Sequence, residues 1–507
     1  MPLFKTRSAA VFGIDAQPVD VEVDLFRSGV GRDFMLVGMP DTAVRESRER
    51  IKSALINSGF GYPNQAVTVN LAPAHVRKEG TGFDLPMALA IMGAMGTFKG
   101  LDNYLAVGEL SLDGAIRGVR GALSVAVCAR QQGVENLIIP LENADEAAVV
   151  EGLNVFGVKH LAEVVAMLAK PAEFKPVRPS PVSGALAAAG GCCDFRDVRG
   201  QMTAKRGLLV AAAGGHNILM IGPPGSGKTM LAKRFAGILP GMSFEEAIET
   251  TKIHSIAGAL SPGAGLLRSR PFRSPHHTIS DAGLIGGGTG SPRPGEVSLA
   301  HNGVLFLDEF PEFPRNVLEI LRQPMEDLTV TIARSNMTLC FPANFMLVAA
   351  MNPCPCGYYG DPTRECRCTP AIIQRYLGKI SGPLLDRIDI QIEVPAVPYK
   401  ELRAGEMAVS SEDMRERAER AAEIQRARGF SNARMPTRAL RRECALDETG
   451  ERTLEMAMRR MSLSARAHDR ILKVARTIAD LDQSAAVAAK HIAEAIQYRS
   501  LDRNYWN

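Results

Sequence analysis

Continuous apolar runs recur at Ile218-Leu219-Met220-Ile221, at Val304-Leu305-Phe306-Leu307 and over residues 345–351. Each is short and closed by turn or polar residues, the pattern of strands buried on both faces of a parallel sheet. The first third of the chain reads differently. Val19-Asp20-Val21-Glu22-Val23-Asp24-Leu25 alternates as a half-exposed strand does, and further strands are predicted at 34–40, 67–71, 104–112 and 137–140. Helices are predicted between and after them at 41–58, with Asp41 as N-cap, and at 83–95, 122–132 and 143–151. After residue 399 the period becomes helical, with helices over 412–428, 443–461, 465–481 and 485–498 and Ser464 capping the third. Residues 171–191 are rich in Pro, Ala and Gly without periodicity and read as a linker. The expectation is an α/β multidomain chain: an α+β domain over 1–170, the linker, an α/β core over 192–398 and an all-helical domain over 399–507.

Length fits this division, since 507 residues imply about three domains. The composition, 46% hydrophobic and 22% charged, is that of an ordinary globular protein. A net charge of +4 permits a nucleic-acid partner without arguing for one. There is no apolar run of about 18 residues to cross a membrane and no signal-peptide core at the N-terminus, so the expected location is cytoplasmic. The nine cysteines are then expected to be thiols or metal ligands.

The chemistry begins after the Ile218-Leu219-Met220-Ile221 run. Gly222-Pro223-Pro224-Gly225-Ser226-Gly227-Lys228-Thr229 has the G-x-x-x-x-G-K-[ST] spacing of a P-loop, between a predicted strand and a predicted helix. The glycines turn backbone N–H groups onto a phosphate and the helix N-terminus adds its positive end. Lys228 is expected at the β- and γ-phosphates of ATP and Thr229 on Mg²⁺. Downstream, the Val304–Leu307 run ends in Asp308-Glu309. A carboxylate at the C-terminal end of a buried strand can hold the same ion, the role expected of Asp308, while Glu309 would orient and polarise the attacking water.

Three further stretches stand out. Cys354, Cys356, Cys366 and Cys368 form C-x-C-x9-C-x-C. Four thiols in one short loop suit a structural tetrahedral Zn²⁺, with free thiols and an iron–sulfur cluster as alternatives. Residues 255–295 are Gly- and Pro-rich, carry Arg268, Arg270, Arg273, His276 and His277, and are too long for a plain connection. The two histidines are candidate metal ligands, although no third ligand lies nearby and a loop or DNA-contact role is preferred. Residues 329–339 alternate on either side of a polar turn and read as a β-hairpin with Arg334 near its tip, placed for a phosphate backbone.

Several of these stretches resemble AAA+ ATPases. Residues 78–90 and 108–122 look like the proteolytic domain of Lon, but Asp84 stands where Lon has its nucleophilic serine and Arg120 where it has its lysine base. Arginine cannot serve as a base at neutral pH, so the resemblance implies the fold and not the protease. Asp197, Val198 and Gly200 resemble the stretch that borders adenine. Asn352 resembles the sensor residue that contacts the γ-phosphate or the lytic water, with an Asn in the turn before Pro353 as the alternative. Residues 384–389, Leu-Leu-Asp-Arg-Ile-Asp, resemble the arginine-finger region of magnesium chelatases and replicative MCM helicases. That implies Arg387 acting on a neighbouring subunit's nucleotide, against a local salt bridge with Asp386 or Asp389. The segment 255–295 and the hairpin resemble that clade's pore insert and pre-sensor hairpin. The helical end resembles the AAA+ lid, with Arg466 at the second sensor position or simply on the surface. Together the chain resembles the ComM/YifB magnesium-chelatase-like family. The family implies a hexameric, ATP-driven DNA motor that moves branched DNA in recombination and natural transformation. A chelatase-type motor driving metal insertion or remodelling a protein partner is the alternative.

Overall fold

A computed structural model describes residues 3–26, 34–178, 193–261, 263–288, 292–334, 337–362, 364–397, 409–461, 463–501 and 505. Most of the predicted linker lies outside the described residues.

The N-terminal part is built on a mixed seven-stranded sheet, in the order Phe34–Val37, Ala66–Ala72, Asp15–Phe26, Phe4–Phe12, Tyr104–Ala106, Asn136–Pro140, Asn154–Val158. Phe4–Phe12 and Asp15–Phe26 form a long antiparallel hairpin, and the last four strands run parallel. Phe4–Phe12 was not among the predicted strands. It points Thr6 and Ser8 inward, so its buried face is not apolar in sequence; the Thr6 hydroxyl donates to the Pro86 carbonyl at 3.1 Å. The predicted helices form as Thr42–Asn57, Asp84–Ala94, Ala122–Gln131 and Leu141–Ala147, and Asp41 caps the first by accepting from the Val44 amide at 2.8 Å.

The central part is a five-stranded parallel sheet in the order Phe272–Arg273, Val304–Leu307, Met346–Met351, Ile218–Ile221, Ile390–Glu393. Its three central strands read as unbroken apolar runs because alternate residues feed two cores. Ile218, Met220, Val304, Phe306, Val348 and Ala350 face the core shared with the C-terminal helices. Leu219, Ile221, Leu305, Leu307, Leu347 and Ala349 face the opposite one. The edge strand Phe272–Arg273 corrects one expectation: the segment read as a single insert over 255–295 contains a strand of the sheet. Two residues are too short to show a period, and the strand is fixed by pairing with Val304-Leu305 and by the Phe272–Phe306 stack at 5.9 Å. The predicted hairpin is present as Thr329–Arg334 with Met337–Pro342.

The C-terminal helices Ser411–Arg428, Thr437–Glu443, Glu448–Met461, Ala465–Leu481 and Ala489–Gln497 pack on the first face of this sheet. The predicted helix over 443–461 breaks at Cys444. Ser464 caps Ala465–Leu481 by accepting from the Ala467 amide at 3.2 Å. The N-terminal part rests on the helix Phe244–Ala257: the Gly121 amide donates to the Ser255 hydroxyl at 2.9 Å, and Lys252 pairs with Asp15 at 2.7 Å. Among the described residues no helix is long and apolar enough to cross a membrane.

Candidate nucleotide site

Ligands of open parallel sheets bind beyond the carboxyl ends of the strands, and three strand ends converge here. Ile218–Ile221 runs into the P-loop, Val304–Leu307 into Asp308-Glu309, and Met346–Met351 into Asn352. The P-loop backbone depends on its glycines. Gly225 and Gly227 have φ of +79° and +92°, and a Cβ on Gly222 would fall 2.1 Å from the Val394 carbonyl oxygen. The helix Lys228–Phe235 starts directly from Gly227, so its first amides face the space the loop encloses.

Lys228 is buried and folds back over the loop. Its Nζ donates to the carbonyls of Gly222 at 2.7 Å and Pro223 at 2.9 Å, and to Oδ1 of Asn352 at 3.2 Å. Burial pushes its ammonium down to about 8, with Asp308 offsetting only part of the cost. Phosphate oxygens would replace those carbonyls and favour the charged form.

Thr229 Oγ1 lies 2.6 Å from Asp308 Oδ2. Two hard oxygen donors side by side at the mouth of a phosphate loop fit Mg²⁺, which keeps several waters and takes few protein ligands. Thr229 and Asp308 would hold the ion, whose charge would offset that of the phosphates. Glu309 sits at φ +53°, a left-handed conformation unusual for a side-chain-bearing residue and frequent at functional sites. Its exposed carboxylate is 3.1 Å from His277 Nδ1. The sequence left His277 in a loop. Its partner is explained by the parallel pairing of Phe272–Arg273 with Val304-Leu305, which brings the residues after both strands to the same edge. Recognising that two-residue strand would have exposed the pair.

The segment 194–201 closes one flank. Arg234, on the P-loop helix, donates to Asp197 at 2.9 Å and to the Asp194 carbonyl at 2.7 Å, and the Gln201 amide reaches the Ser226 carbonyl at 3.5 Å. Gln201 is thus the residue of this segment that reaches the loop, while Asp197 pairs with the helix after it and Lys205 holds the Val198 carbonyl at 2.6 Å.

Two expected site residues stand apart. Arg387 is nearly buried and is held within its own chain, by Glu326 at 2.6 Å and the carbonyls of Pro383 at 2.6 Å and Arg322 at 3.1 Å. The local ion pair weighed for it therefore forms with Glu326 and not with Asp386 or Asp389. Asp389 belongs to a buried network with His216 and Arg470. Burial pushes its carboxyl up, but Arg470 and His216 outweigh this and hold it well below the usual range. Arg466 is exposed on the first turn of Ala465–Leu481, and among the described residues no hydrogen bond or ion pair joins it to the P-loop. Arg470, one turn later, reaches the core at Asp389, as Arg434 and Arg499 do at the carbonyls of Met325 and Ile388.

Beside the site, the sulfurs of Cys354, Cys356, Cys366 and Cys368 all lie within 4.8 Å of one another. Three of the separations are 3.3, 3.7 and 3.6 Å. A tetrahedron with metal–sulfur bonds of ~2.3 Å has edges of ~3.8 Å, so this cage is close to the size a tetrathiolate metal needs. His276 and His277 are not part of it; their rings pack on each other at 4.0 Å.

Family models match three successive parts of the chain: the ChlI subunit of magnesium chelatase over residues 21–143, the magnesium chelatase ChlI model over 194–402 and the ChlI C-terminal model over 408–499. The chain is 44% identical to YifB of Escherichia coli over 511 residues, covering 99% of this chain and 98% of that protein. It is likewise 44% identical to the competence protein ComM of Haemophilus influenzae over 509 residues, covering 99% and 98%. The chain belongs to the ComM/YifB family of magnesium-chelatase-like AAA+ ATPases. A shorter match, 26% identity over 202 residues, reaches the DNA replication licensing factor mcm7 of Schizosaccharomyces pombe, covering 40% of this chain and 22% of that one. Membership brings ATP and Mg²⁺ as the expected ligands of the P-loop site.

Proposed function

We propose that this AAA+ ATPase is a DNA motor that works as a hexameric ring and drives branch migration in recombination and natural transformation. The observation that carries the DNA reading is a pair of hairpins. The short Gly286–Gly287/Arg293–Pro294 ribbon packs against Thr329–Arg334, with a Cβ on Gly286 placed 3.0 Å from Ile332 Cδ1. Arg293 and Arg334 are exposed on these neighbouring ribbons, whereas Arg270 and Arg273 are spent on internal partners, Glu246 and Glu296. Two exposed cations on adjacent projections suit a phosphate backbone. The names of the competence and replication relatives point the same way.

In this reading Lys228 and the loop amides bind the phosphates, and Thr229 and Asp308 hold Mg²⁺. Glu309 takes the proton of the attacking water, Asn352 positions that water or the γ-phosphate, and Arg466 joins from the lid. Arg387 comes from the neighbouring subunit, which requires it to leave Glu326. The four cysteines hold a structural Zn²⁺. The N-terminal part is a Lon-like domain without peptidase activity. Asp84 is a buried ion-pair partner, bound through two bonds by Arg50 at 2.7 and 3.0 Å, and a Cβ on Gly258 of the core would fall 3.1 Å from Arg120 Nε.

The test is an ATPase and strand-migration assay on a four-way DNA junction. DNA-stimulated hydrolysis and migration, both weakened by Arg293→Ala with Arg334→Ala, are expected. No stimulation and no migration would discard the reading, and co-purification with chelatase subunits would favour the metal-insertion motor.

A further inference from the structure

The four-cysteine loop and the strand end that leads into it meet the P-loop at three points. Asn352, whose side chain receives the Lys228 ammonium, is two residues before Cys354. The Gly222 amide, at the start of the P-loop, donates to the Met351 carbonyl at 3.2 Å. After Cys356 the chain turns through Gly357, whose amide donates to the Cys354 carbonyl at 2.9 Å. Gly357 has φ +86°, and a Cβ there would fall 2.5 Å from Pro224 Cδ in the P-loop. The far end of the loop grips the same residues. Following Cys368, the helix Pro370–Leu377 carries buried Tyr376, which shares a hydrogen bond with the Asn352 backbone.

Elementary geometry gives the consequence. Among its described residues the loop from 354 to 368 has little regular structure, and three of its cysteines are only partly buried. Its shape therefore rests on whatever joins the two Cys-x-Cys pairs. A tetrathiolate metal closes that loop, fixing at once the turn that presses Gly357 on Pro224 and the start of the helix that brings Tyr376 to Asn352.

We propose that the metal centre is a brace of the nucleotide site: zinc bound to Cys354, Cys356, Cys366 and Cys368 holds the P-loop and Asn352 in their nucleotide-binding arrangement. This rests on the four thiols binding zinc. The brace carries no exchangeable ligand and does no chemistry; it acts through the Gly357–Pro224 and Tyr376–Asn352 contacts.

The experiment uses the full chain. Zinc per chain is measured by elemental analysis, and the affinity for a fluorescent ADP analogue is measured before stripping with a thiol-competing chelator, after stripping, and after zinc is returned. A second arm takes Gly357→Ala, which leaves all four thiols in place but pushes on Pro224. The expected result is one zinc per chain and affinity weakened by roughly tenfold on stripping, recovered with zinc. Gly357→Ala keeps its zinc and shows a comparable loss. Zinc present, with affinity unchanged both on stripping and in Gly357→Ala, overturns the brace and leaves the zinc assignment standing. Absence of any bound metal overturns the zinc assignment and the brace with it.

Discussion

The Thr229 hydroxyl donates to the Asp308 carboxylate across 2.6 Å, joining the end of the P-loop to the end of a strand two places away in the sheet. That contact is a cation site in outline. Thr229→Ala and Asp308→Asn should therefore each lower magnesium-dependent turnover by about a hundredfold or more, while nucleotide binding measured in EDTA changes little. Equal loss of binding with and without magnesium would show that the pair only shapes the loop.

Glu309 makes no bond to the P-loop among the described residues; its partner is His277. Glu309→Gln should keep ATP affinity and lower turnover by about 10²–10⁴. Releasing the carboxylate with His277→Ala should raise hydrolysis in the absence of DNA. A fall in that basal rate, with Glu309→Gln behaving normally, would make His277 a supporting residue of the chemistry and not a restraint on Glu309.

Lys228 makes nucleotide affinity depend on pH. Its ammonium titrates near 8 in the free protein because burial opposes the charge. Below that value it is already charged when nucleotide arrives, so affinity is flat. Above it, binding must take up a proton, and affinity falls by up to about tenfold per pH unit until the raised pKa of the bound state is passed. Titration calorimetry in buffers of different ionisation heats reads the uptake directly. An unshifted lysine would give no uptake until pH approaches ~10.4.

Arg50 and Asp84 test the N-terminal part separately. Asp84 is buried, and its burial pushes the carboxyl up against the pull of Arg50. Asp84→Ala leaves the guanidinium without its partner and should cost about 3 kcal/mol of stability in denaturant unfolding. No casein cleavage is expected before or after the change; cleavage lost with Asp84 would restore the protease reading.

How much of this was legible in the sequence follows the length and polarity of each element. The three central strands are apolar on both faces and closed by chemistry-bearing residues, so the strands and the candidates Lys228, Thr229, Asp308, Glu309 and Asn352 stood out, and the structure gathers these five at one sheet edge. Phe4–Phe12 was hidden because buried Thr6 and Ser8 interrupt its inward face, and Phe272–Arg273 because two residues carry no period. The His277–Glu309 and Arg387–Glu326 pairs were not legible from local spacing. Both join residues brought together only by tertiary packing, and nothing in local spacing marks a partner 32 or 61 positions away.

In the proposed ring the sharing of each ATP site between chains rests on Arg387 supplied in trans. It must be separated from the arginine's bond to Glu326 within its own chain. Arg387→Ala should lower turnover by about 10³-fold or more with binding intact, and Glu326→Gln should leave turnover largely unchanged. The most direct measurement mixes two inactive variants, Lys228→Ala and Arg387→Ala, and follows ATP hydrolysis on branched DNA. Interfaces that pair the intact P-loop of one variant with the intact arginine of the other should recover activity that neither variant has alone. A mixture that stays inactive although the two variants co-assemble, or an Arg387→Ala protein that hydrolyses ATP unaided, would contradict the shared site.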